Sequence, residues 1–483
     1  MNQMAEKMAL KRIEALLDEN SFVQIGGLVN ARNTDFNMNT KETPGDGVLT
    51  GYGVIDGRLV YVYSQDATVL GGAIGEMHAK KITNLYDMAM KMGAPVIGFI
   101  DCACLRLQEA TDAMNAFGGI YQCMAYASGV IPQIAIVSGS CGGGLGILAE
   151  LADFTFMSEK GSLFINSPNV FDGNYKEKLD TSSAAYHSAN TGLVDMVGSD
   201  EQIVNEVRTL IGMLPSNNED DSVCVTCYDD LNRICEGMEN CYEDTLTALR
   251  LIADNHFVFE LKRDYAKDML TAFITLNGQT IGAVANRSKC YEEDGTCTEL
   301  SDGKLSTNGC IKAAEFVNFC NAFNIPVLSL TNVNGYKVSM DEEKTIAKAA
   351  AKLTYAFTNC TVPKVNVIVG SSYGNGYTVM NSKALGCDMV FAWPNASIGT
   401  MPAKEAVRII YDEELKSVDN VPGYLTDKAS EYEELQNSVM SAAKRGYIDS
   451  IIEPVDTRKY LIGAYEMLYT KREDRPTKKH GTV

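Results

Sequence analysis

The chain has 483 residues, of which 46% are hydrophobic and 22% are charged, the balance of a packed globular protein rather than of a disordered one. Its 42 basic and 62 acidic residues leave a net charge of -20 at pH 7, which repels nucleic-acid phosphate and anionic membrane surfaces. At roughly 150 residues per domain, the length favours more than one domain. We therefore expect an anionic ligand to bind only where backbone N–H groups or a few basic side chains reverse the local charge.

The N-terminal segment MNQMAEKMALKRIEALL has the pattern of an amphipathic helix that carries charges of both signs. It contains neither the apolar run nor the cleavage site of a secretory signal, and no window of the sequence approaches about 18 uninterrupted apolar residues. We therefore predict a cytoplasmic protein, and a position at the periphery of a membrane complex stays open.

The 14 cysteines are scattered through apolar segments, which favours reduced thiols over a disulfide framework in a chain without a secretory signal. The densest group consists of Cys224, Cys227, Cys235 and Cys241. Its first pair has the spacing of metal ligands but its second pair does not, so incidental thiols are favoured over a zinc or iron–sulfur site.

The first half of the chain alternates strands and helices. The segment GVLTGYGVIDGRLVYVYSQD alternates apolar and polar residues around an Asp-Gly turn, which predicts two paired strands. Beyond it, hydrophobic periodicity predicts helix 76–92, strand 94–102, helix 110–128, strand 131–139, a glycine cluster at 142–144 and strand 153–158. This order predicts an α/β fold with crossover units in a mixed sheet.

The second half repeats the first. The segment IPQIAIVSGSCGGGLG from Ile131 is echoed by VPKVNVIVGSSYGNGY from Val362, and GAPVIGFIDCA from Gly93 is echoed by NIPVLSLTNVN from Asn324. Two further segments, GRLVYVYSQ and ADFTFMSEKGSLFINSP, have counterparts in GQTIGAVAN and CDMVFAWPNASIGTMP. We infer an internal duplication, and we predict a first domain over 1–214, a linker over 215–243 and a second domain over 244–483.

Each half has a glycine-rich turn between a buried strand and a helix, the first at 140–144 and the second at 373–377. Such a turn presents consecutive backbone N–H groups at a helix N-terminus, and glycine lets a ligand approach them closely. This arrangement can hold an oxyanion, such as the thioester oxygen that becomes negative when an α-carbanion forms, and one preorganised donor contributes about 10² to 10³ in rate. Two turns at matching positions favour a functional role for both.

Residues for other common chemistries are sparse in the sequence. There are 4 histidines and no G-x-S-x-G, Walker A or Rossmann motif, which disfavours direct use of ATP or a dinucleotide. His78 falls on a predicted helix, which favours packing or hydrogen bonding over a functional role. His187 precedes NTGLVD, and for it both the structural and the functional interpretation stay open. The tetrapeptide AMKM at 89–92 is similar to a biotin attachment signature, but it ends a predicted helix, so we do not expect Lys91 to carry biotin.

The stretch PGDGVLTGYGVIDGRLVYVYSQDATVLGGAIGEMHAKKI resembles the opening of the biotin-dependent acyl-CoA carboxyltransferase family, of the propionyl-CoA carboxylase beta and methylmalonyl-CoA decarboxylase alpha type. The resemblance continues through GAPVIGFID, RLQEA, ASGVIPQIAIVSGSCGGG and LADFTFM, and in the second half through VPKVNVIVG, YGNGY, AWPNASIGTM, YIDSIIEP and TKKHG. It covers nearly the whole chain, and the predicted linker is its poorest part.

The resemblance implies two tandem crotonase-like domains of β-β-α spiral turns, with acyl-CoA on the first and biotin, attached to a separate carrier protein, on the second. It also implies an active site between the first half of one subunit and the second half of another, hence a homo-oligomer that is at least a dimer and commonly a hexamer. Gly143 and Gly144 match residues that hold the thioester oxygen, and Asn375 and Gly376 match residues that stabilise the ureido oxygen of biotin.

Further substrate-binding positions expected from the resemblance are Gly71, Gly72, Cys104, Arg106 and Tyr373. The family's chemistry requires no side-chain base. CO2 released from carboxybiotin leaves a ureido anion that can take the acyl-CoA α-proton, and the resulting enolate is carboxylated. The reverse steps decarboxylate a dicarboxylic mono-CoA ester and load biotin.

The chain departs from the family pattern in three segments. The family's D-S-G-G-A-R-I-Q-E-G is replaced by DCACLRLQEA at 101–110, which loses the glycines beside the acyl pocket and leaves the choice of acyl group open. The family's D-V-P-G-F is replaced by NVNGY at 332–336, and the arginine of its R-K-A-Y motif is absent from GSSY at 370–373. Contacts to biotin or to its carrier are therefore expected to differ.

We predict a carboxyltransferase subunit that moves a carboxyl group between biotin on a carrier protein and an acyl-CoA. Its partners would be the biotin carboxylase of an acyl-CoA carboxylase or the membrane subunits of a sodium-pumping decarboxylase, and the altered acyl loop favours the decarboxylase. Two alternatives stay open. One is a non-catalytic scaffold of the same fold, and the other is a crotonase-type hydratase or hydrolase, in which Glu109 alone would have to serve as general base.

Overall fold

The computed structural model describes residues 2–33, 35–291, 296–299, 303–478 and 481. They form two compact units. The first comprises the described residues up to Asp221 together with Lys262–Tyr265, and the second comprises Ser222–Leu261 and the described residues from Ala266 onward. The boundary between the units falls inside the segment 215–243 that the sequence marks as a linker. Much of that segment packs on the second unit, because Cys235, Met238 and Cys241 are buried in its core.

The first unit contains eight strands among its described residues: β1 (Val23–Ile25), β2 (Val48–Ile55), β3 (Arg58–Gln65), β4 (Val96–Cys102), β5 (Gln133–Gly142), β6 (Phe154–Ser158), β7 (Ser162–Phe164) and β8 (Met196–Gly198). Its helices are α1 (Asn2–Leu16), α2 (Glu76–Met92), α3 (Ala110–Ala127), α4 (Gly144–Glu150), α5 (Ala184–Asn190) and α6 (Asp200–Met213). The strands form one sheet in the order β1-β2-β3-β4-β5-β6-β8, and β7 pairs with β5. The β2–β3 hairpin is antiparallel, and β3 to β6 run parallel.

The second unit repeats this topology. Its strands are β9 (Val258–Leu261), β10 (Met269–Leu276), β11 (Gln279–Asn286), β12 (Lys289–Tyr291), β13 (Cys297–Glu299), β14 (Val327–Asn334), β15 (Lys364–Tyr373), β16 (Met389–Ala392), β17 (Ser397–Gly399) and β18 (Ser450–Ile451). The main sheet has the order β9-β10-β11-β14-β15-β16-β18, with β17 paired to β15, and β12 and β13 form a separate hairpin. The predicted α/β fold with an internal duplication is thereby confirmed.

The described residues of the second unit contain nine α-helices: α7 (Thr245–Ile252), α8 (Thr307–Ala322), α9 (Met340–Glu343), α10 (Ile346–Asn359), α11 (Gly374–Val379), α12 (Ala403–Ile410), α13 (Val421–Tyr432), α14 (Val439–Lys444) and α15 (Thr457–Leu468). No helix in the described ranges has both the length and the apolarity needed to cross a membrane.

The buried strands and amphipathic helices follow from the pattern of apolar residues. Strand β4 reads VIGFIDC and is buried along nearly its whole length, as expected for an interior parallel strand that helices cover on both faces. Helix α2 buries residues three or four positions apart, including Ile82, Leu85 and Ala89, and it ends at Gly93, whose φ of 59° is left-handed. Lys91 lies in its last turn. Strands β4 and β5 run parallel, so both end at the edge of the sheet where the first glycine-rich turn begins.

Candidate active site

The glycine-rich turn of the first unit joins β5 to α4. Gly143 links them with φ 60° and ψ −128°, a conformation that residues with a Cβ rarely adopt. Its N–H donates to the carbonyl oxygen of Phe164 at 2.8 Å, which ties the turn to β7. Gly144 occupies the first helical position, where an N–H has no acceptor inside the helix. Of the two glycines, Gly143 is thus engaged within the fold, and Gly144 is placed to offer its N–H to a ligand.

The far side of this turn is closed by α3. The Tyr121 hydroxyl donates to the Gly144 carbonyl oxygen at 2.6 Å. A Cβ on Gly144 would lie 2.8 Å from that hydroxyl oxygen and 3.3 Å from the ring of Phe117, so only glycine fits without a shift of these rings. The sequence signal for the glycines is clear, whereas nothing in the sequence marks Tyr121 as their support.

The loop at 103–109, here called the acyl loop, lies against the β3–α2 connection. The Ala103 N–H donates to the Gly71 carbonyl oxygen at 2.8 Å, and the Ile74 N–H donates to the Cys104 carbonyl oxygen at 2.9 Å. A Cβ on Gly72 would lie only 2.6 Å from the Asp101 carbonyl oxygen. The two predicted glycines therefore allow a close backbone approach, and they bring their loop to the same region as Cys104.

Arg106 lies behind the acyl loop in a buried cluster of charges. It is 1% exposed, and its guanidinium contacts Asp46 at 2.7 Å, Glu109 at 2.8 Å and the carbonyl oxygen of Ala73 at 2.7 Å. The other Glu109 oxygen accepts the Glu76 N–H at 2.6 Å. Arg106, predicted to bind substrate, is thus placed as a residue that fixes the loop, and the Glu109 carboxylate is already engaged by two donors.

The charge cluster extends to His78 on α2. Its Nδ1 donates to the Asp46 carbonyl oxygen at 2.9 Å, so its Nε2 is the nitrogen that accepts from the Gln65 amide at 3.2 Å. Burial, reinforced by the charge of Arg106, lowers the pKa of His78 to about 3, so this ring is neutral. Burial also raises the pKa of Asp46 to about 6, against the opposing attraction of Arg106. His78 acts as a hydrogen-bonding residue of the core.

His187 has a similar setting on α5. It is 5% exposed, its Nε2 donates to the Leu163 carbonyl oxygen at 2.6 Å, and its Nδ1 lies 3.1 Å from the Thr191 hydroxyl. Burial lowers the pKa of this ring as well. The interpretation that the sequence left open is therefore decided in favour of hydrogen bonding within the fold.

The second unit builds its turn in the same way, between β15 and α11. Gly374 has a left-handed φ of 64°, and a Cβ on Gly376 would lie 3.0 Å from the Val333 side chain. Tyr373 is half-buried, and this burial raises the pKa of its hydroxyl. Asn375 lines a cavity of about 320 Å³ together with residues of α11, β17 and the segment around α14, among them Thr400, Tyr432, Arg445 and Tyr447.

Each turn is supported by a side chain at an equivalent position of the repeat, and the sequence reasoning did not identify this pair. In the first unit, Asp101 accepts the Ser140 N–H at 3.4 Å, and in the second, Asn332 accepts the Ser371 N–H at 3.0 Å. Asp101 and Asn332 occupy the same position in the aligned repeats, as do Gly143 and Gly374. Comparing the repeats position by position would have revealed this pair. Asn375 is accordingly the counterpart of Gly144.

The cysteines do not group into a metal site within the described ranges, where no cluster of three or more His, Cys, Asp or Glu side chains could hold a metal ion. The Cys235 thiol donates to the Leu251 carbonyl oxygen at 3.3 Å, and the Cys241 thiol donates to the Gly237 carbonyl oxygen at 3.5 Å. At the first turn, burial raises the pKa of Cys102 to about 12, so this thiol is protonated.

A family model for the carboxyl transferase domain matches residues 1–483. The chain belongs to the carboxyl transferase family. The resemblance read from its sequence is confirmed, and so is the class of enzyme, the carboxyltransferases and decarboxylases that depend on biotin.

Named members of this family align over almost the full length. The chain is 37% identical to the methylmalonyl-CoA decarboxylase subunit alpha of Propionigenium modestum, over 98% of this chain and 92% of that protein. It is also 37% identical to the propionyl-CoA carboxylase carboxyltransferase subunit of Haloferax mediterranei, over 98% of this chain and 93% of that protein. A crystal structure of transcarboxylase 12S with hydrolysed methylmalonyl-coenzyme A bound has 35% identity and a TM-score of 0.91, over 98% of this chain and 92% of that one.

The predicted site residues of this carboxyl transferase thus fall into two groups. In the first unit, the structure brings Gly71, Gly72, Cys104, Gly143 and Gly144 together and places Arg106 behind them. In the second unit, Tyr373, Asn375 and Gly376 lie together at the β15–α11 turn. Their roles toward substrate remain predictions.

Proposed function

We propose that this chain is the carboxyltransferase subunit that moves a carboxyl group between an acyl-CoA and biotin on a separate carrier protein. The single observation that carries the proposal is the pair of glycine turns with the same strand-to-helix geometry, one in each unit of a family member. The first turn would hold the thioester and the second the biotin ureido group. The predicted domains, 1–214 and 244–483, would be the acyl-CoA side and the biotin side.

In the first unit, the Gly144 N–H would donate to the thioester oxygen while negative charge develops on it. Gly143 supplies the backbone conformation, and its bond to Phe164 keeps the turn in place. A donor held in this way needs no reorganisation during reaction, which is the basis of its effect, about 10² to 10³ in rate. Gly71, Gly72 and Cys104 would line the acyl group, and Arg106 would hold their loop.

In the second unit, the N–H groups of Asn375 and Gly376 would stabilise the ureido oxygen, with Tyr373 beside them. Bound carboxybiotin supplies CO2 and a basic ureido nitrogen, which makes a side-chain base unnecessary. This fits the first unit, because the Glu109 carboxylate is 4% exposed and is engaged by Arg106 and the Glu76 N–H. The same contacts oppose the hydratase alternative.

The decisive experiment is carboxyl transfer to biotin from malonyl-, methylmalonyl- and glutaconyl-CoA, with free biotin or a purified carrier as acceptor. We expect one of these esters to be lost in a biotin-dependent reaction. Chromatography of the CoA products measures this loss. Binding of CoA esters without transfer from any of them would overturn the proposal and favour the non-catalytic scaffold.

The assembly follows from the same proposal. The transcarboxylase 12S neighbour forms a hexamer, and several relatives are named as subunits of larger enzymes. We propose a homo-oligomer, at least a dimer and by preference a hexamer. It would be cytoplasmic and would work with a biotin carrier and either a biotin carboxylase or membrane decarboxylase subunits. Light scattering of the purified chain tests the oligomer, and a monomer would contradict it.

A further inference from the structure

Cys104, in the acyl loop just beyond the end of β4, has an unusual backbone conformation. Its φ is 76°, in the left-handed region that side chains with a Cβ avoid. Backbone hydrogen bonds hold it there: Ala103 donates to Gly71, Ile74 donates to Cys104, and Arg106 donates to Ile74 at 3.0 Å. The backbone hydrogen bonds of the loop therefore hold Cys104 in this left-handed conformation.

The second unit shows which residue this backbone suits. At the equivalent position of the repeat, Gly335 has a φ of 89°, and its carbonyl oxygen accepts the Leu305 N–H at 3.0 Å, just as Cys104 accepts from Ile74. Among the described residues, no atom other than those of its two chain neighbours lies within 4 Å of the place where a Cβ on Gly335 would be. The first unit therefore places a thiol where its duplicate has glycine and open space, at the cost of backbone strain.

The thiol of Cys104 lies directly against the first glycine turn. Its Sγ is 3.2 Å from the position of a Cβ on Gly143, the residue next to the proposed oxyanion donor. Cys104 is half-buried, in contrast to the buried Cys102 and Cys141 on the adjoining strands. A side chain of two heavy atoms therefore occupies the space beside Gly143.

We propose that Cys104 sets the acyl specificity of the first unit by filling the space in which a substituent on the α-carbon would lie. This inference rests on the proposed function and names its substrate class: CoA esters with a small, unbranched dicarboxylic acyl group, of the malonyl type, rather than α-branched esters. One methyl group in a fitted apolar pocket changes selectivity by about 10- to 200-fold.

The test is the affinity of the full chain for malonyl-CoA and methylmalonyl-CoA without biotin, measured by calorimetry on the wild type and on Cys104→Gly. We expect the wild type to bind malonyl-CoA at least about tenfold more tightly, and Cys104→Gly to reduce this ratio to about threefold or less. Glycine suits the left-handed conformation, so Cys104→Gly is expected to fold at least as stably as the wild type.

Ala110→Gly is the matched control. Ala110, which follows the acyl loop and begins α3, also has a positive φ of 44°, so this change relieves backbone strain directly beside the loop without removing a thiol. It should leave the malonyl-to-methylmalonyl ratio unchanged. If Ala110→Gly changes the ratio as much as Cys104→Gly does, flexibility of the loop sets the specificity and the inference fails.

Alkylation with iodoacetamide gives an independent readout. Modification of Cys104, followed by peptide mass spectrometry, should abolish binding of malonyl-CoA and should be slowed by bound malonyl-CoA. Cys104→Ser should retain binding after the same treatment, whereas Cys123→Ser, which keeps the thiol at the turn, should lose it. An unchanged affinity ratio in Cys104→Gly, together with binding that survives alkylation of Cys104, would overturn the inference. The transfer assay with biotin would still test the proposed function separately.

Discussion

The acyl loop of the first unit and its counterpart in the second follow the same backbone path but differ in what holds them. In the first unit, Arg106 is buried and bound by two carboxylates. In the second, the equivalent residue Lys337 is exposed, although its N–H makes the corresponding bond to Leu305 at 2.8 Å. Duplication has therefore preserved backbone hydrogen bonds, while the side chains have diverged. The Arg106 ion pairs therefore hold the first loop in addition to its backbone hydrogen bonds, and the exposed Lys337 adds no buried ion pair of this kind to the second.

The largest expected difference between the two loops is in the loss of stability when Arg106 or Lys337 is replaced with methionine. Arg106→Met leaves Asp46 and Glu109 buried without their cation, which should lower the free energy of unfolding by about 3–5 kcal/mol. Lys337→Met, at an exposed position, should change it by no more than about 0.5 kcal/mol. Denaturant unfolding of both variants measures the difference. Equal effects would show that the buried cluster does not fix the first loop.

The pH dependence of stability should also differ between variants of the first unit. The pKa of His78 is lowered from 6.5 to about 3 in the folded state, so between these values the unfolded chain binds more protons and stability falls as the pH falls. At pH 5 this group alone costs about 2 kcal/mol. Asp46 acts oppositely, because its raised pKa of about 6 makes the folded state bind more protons between pH 4 and 6.

His78→Asn removes the histidine contribution and keeps a donor near the position of Nδ1. Between pH 7 and pH 5, the free energy of unfolding should therefore fall in both proteins by different amounts. The fall in His78→Asn should be smaller than the fall in the wild type, and the difference should be about 2 kcal/mol. Denaturant titrations at the two pH values measure this. Parallel losses in both proteins would mean that His78 is not held neutral.

The supports of the two turns should contribute unequally. Asn332 is 6% exposed and makes hydrogen bonds from both ends of its amide, to Ser371 and to the Tyr242 carbonyl oxygen at 2.8 Å, so Asn332→Ala should cost about 1–3 kcal/mol. Asp101 is partly exposed and pairs with Arg12 at 3.0 Å, so Asp101→Ala should cost about 1 kcal/mol or less. Thermal unfolding compares the two, and a larger cost for Asp101 would reverse this ranking.

The sequence predicts the strands, the helices and the glycine turns well, because buried apolar runs and glycine punctuation are local signals. Helix 76–92 is observed as Glu76–Met92, but β5 extends to Gly142 beyond the predicted end at 139, since β7 pairs with its last residues. Such pairing joins segments that are distant in sequence.

The same limit explains which contacts of the site residues the sequence does not show. The substrate-binding role of Arg106 stays a prediction, and its partners Asp46 and Ala73 come from other loops, which no local pattern reveals. The role of Gly143 toward the thioester oxygen also stays a prediction, and the bond of its N–H to Phe164 depends on the placement of β7, which is not a local signal. The repeat itself, read position by position, contains the signal for Asp101 and Asn332.

The most direct test of two turns serving two substrates is a comparison of Gly143→Val with Gly374→Val, both at left-handed backbone positions. Gly143→Val should weaken malonyl-CoA binding and reduce carboxyl transfer by at least about 10²-fold. Gly374→Val should reduce transfer similarly but bind malonyl-CoA like the wild type, with folding of both checked by circular dichroism. Unchanged transfer in Gly143→Val, or equal loss of malonyl-CoA binding in both variants, would contradict the assignment of the two turns.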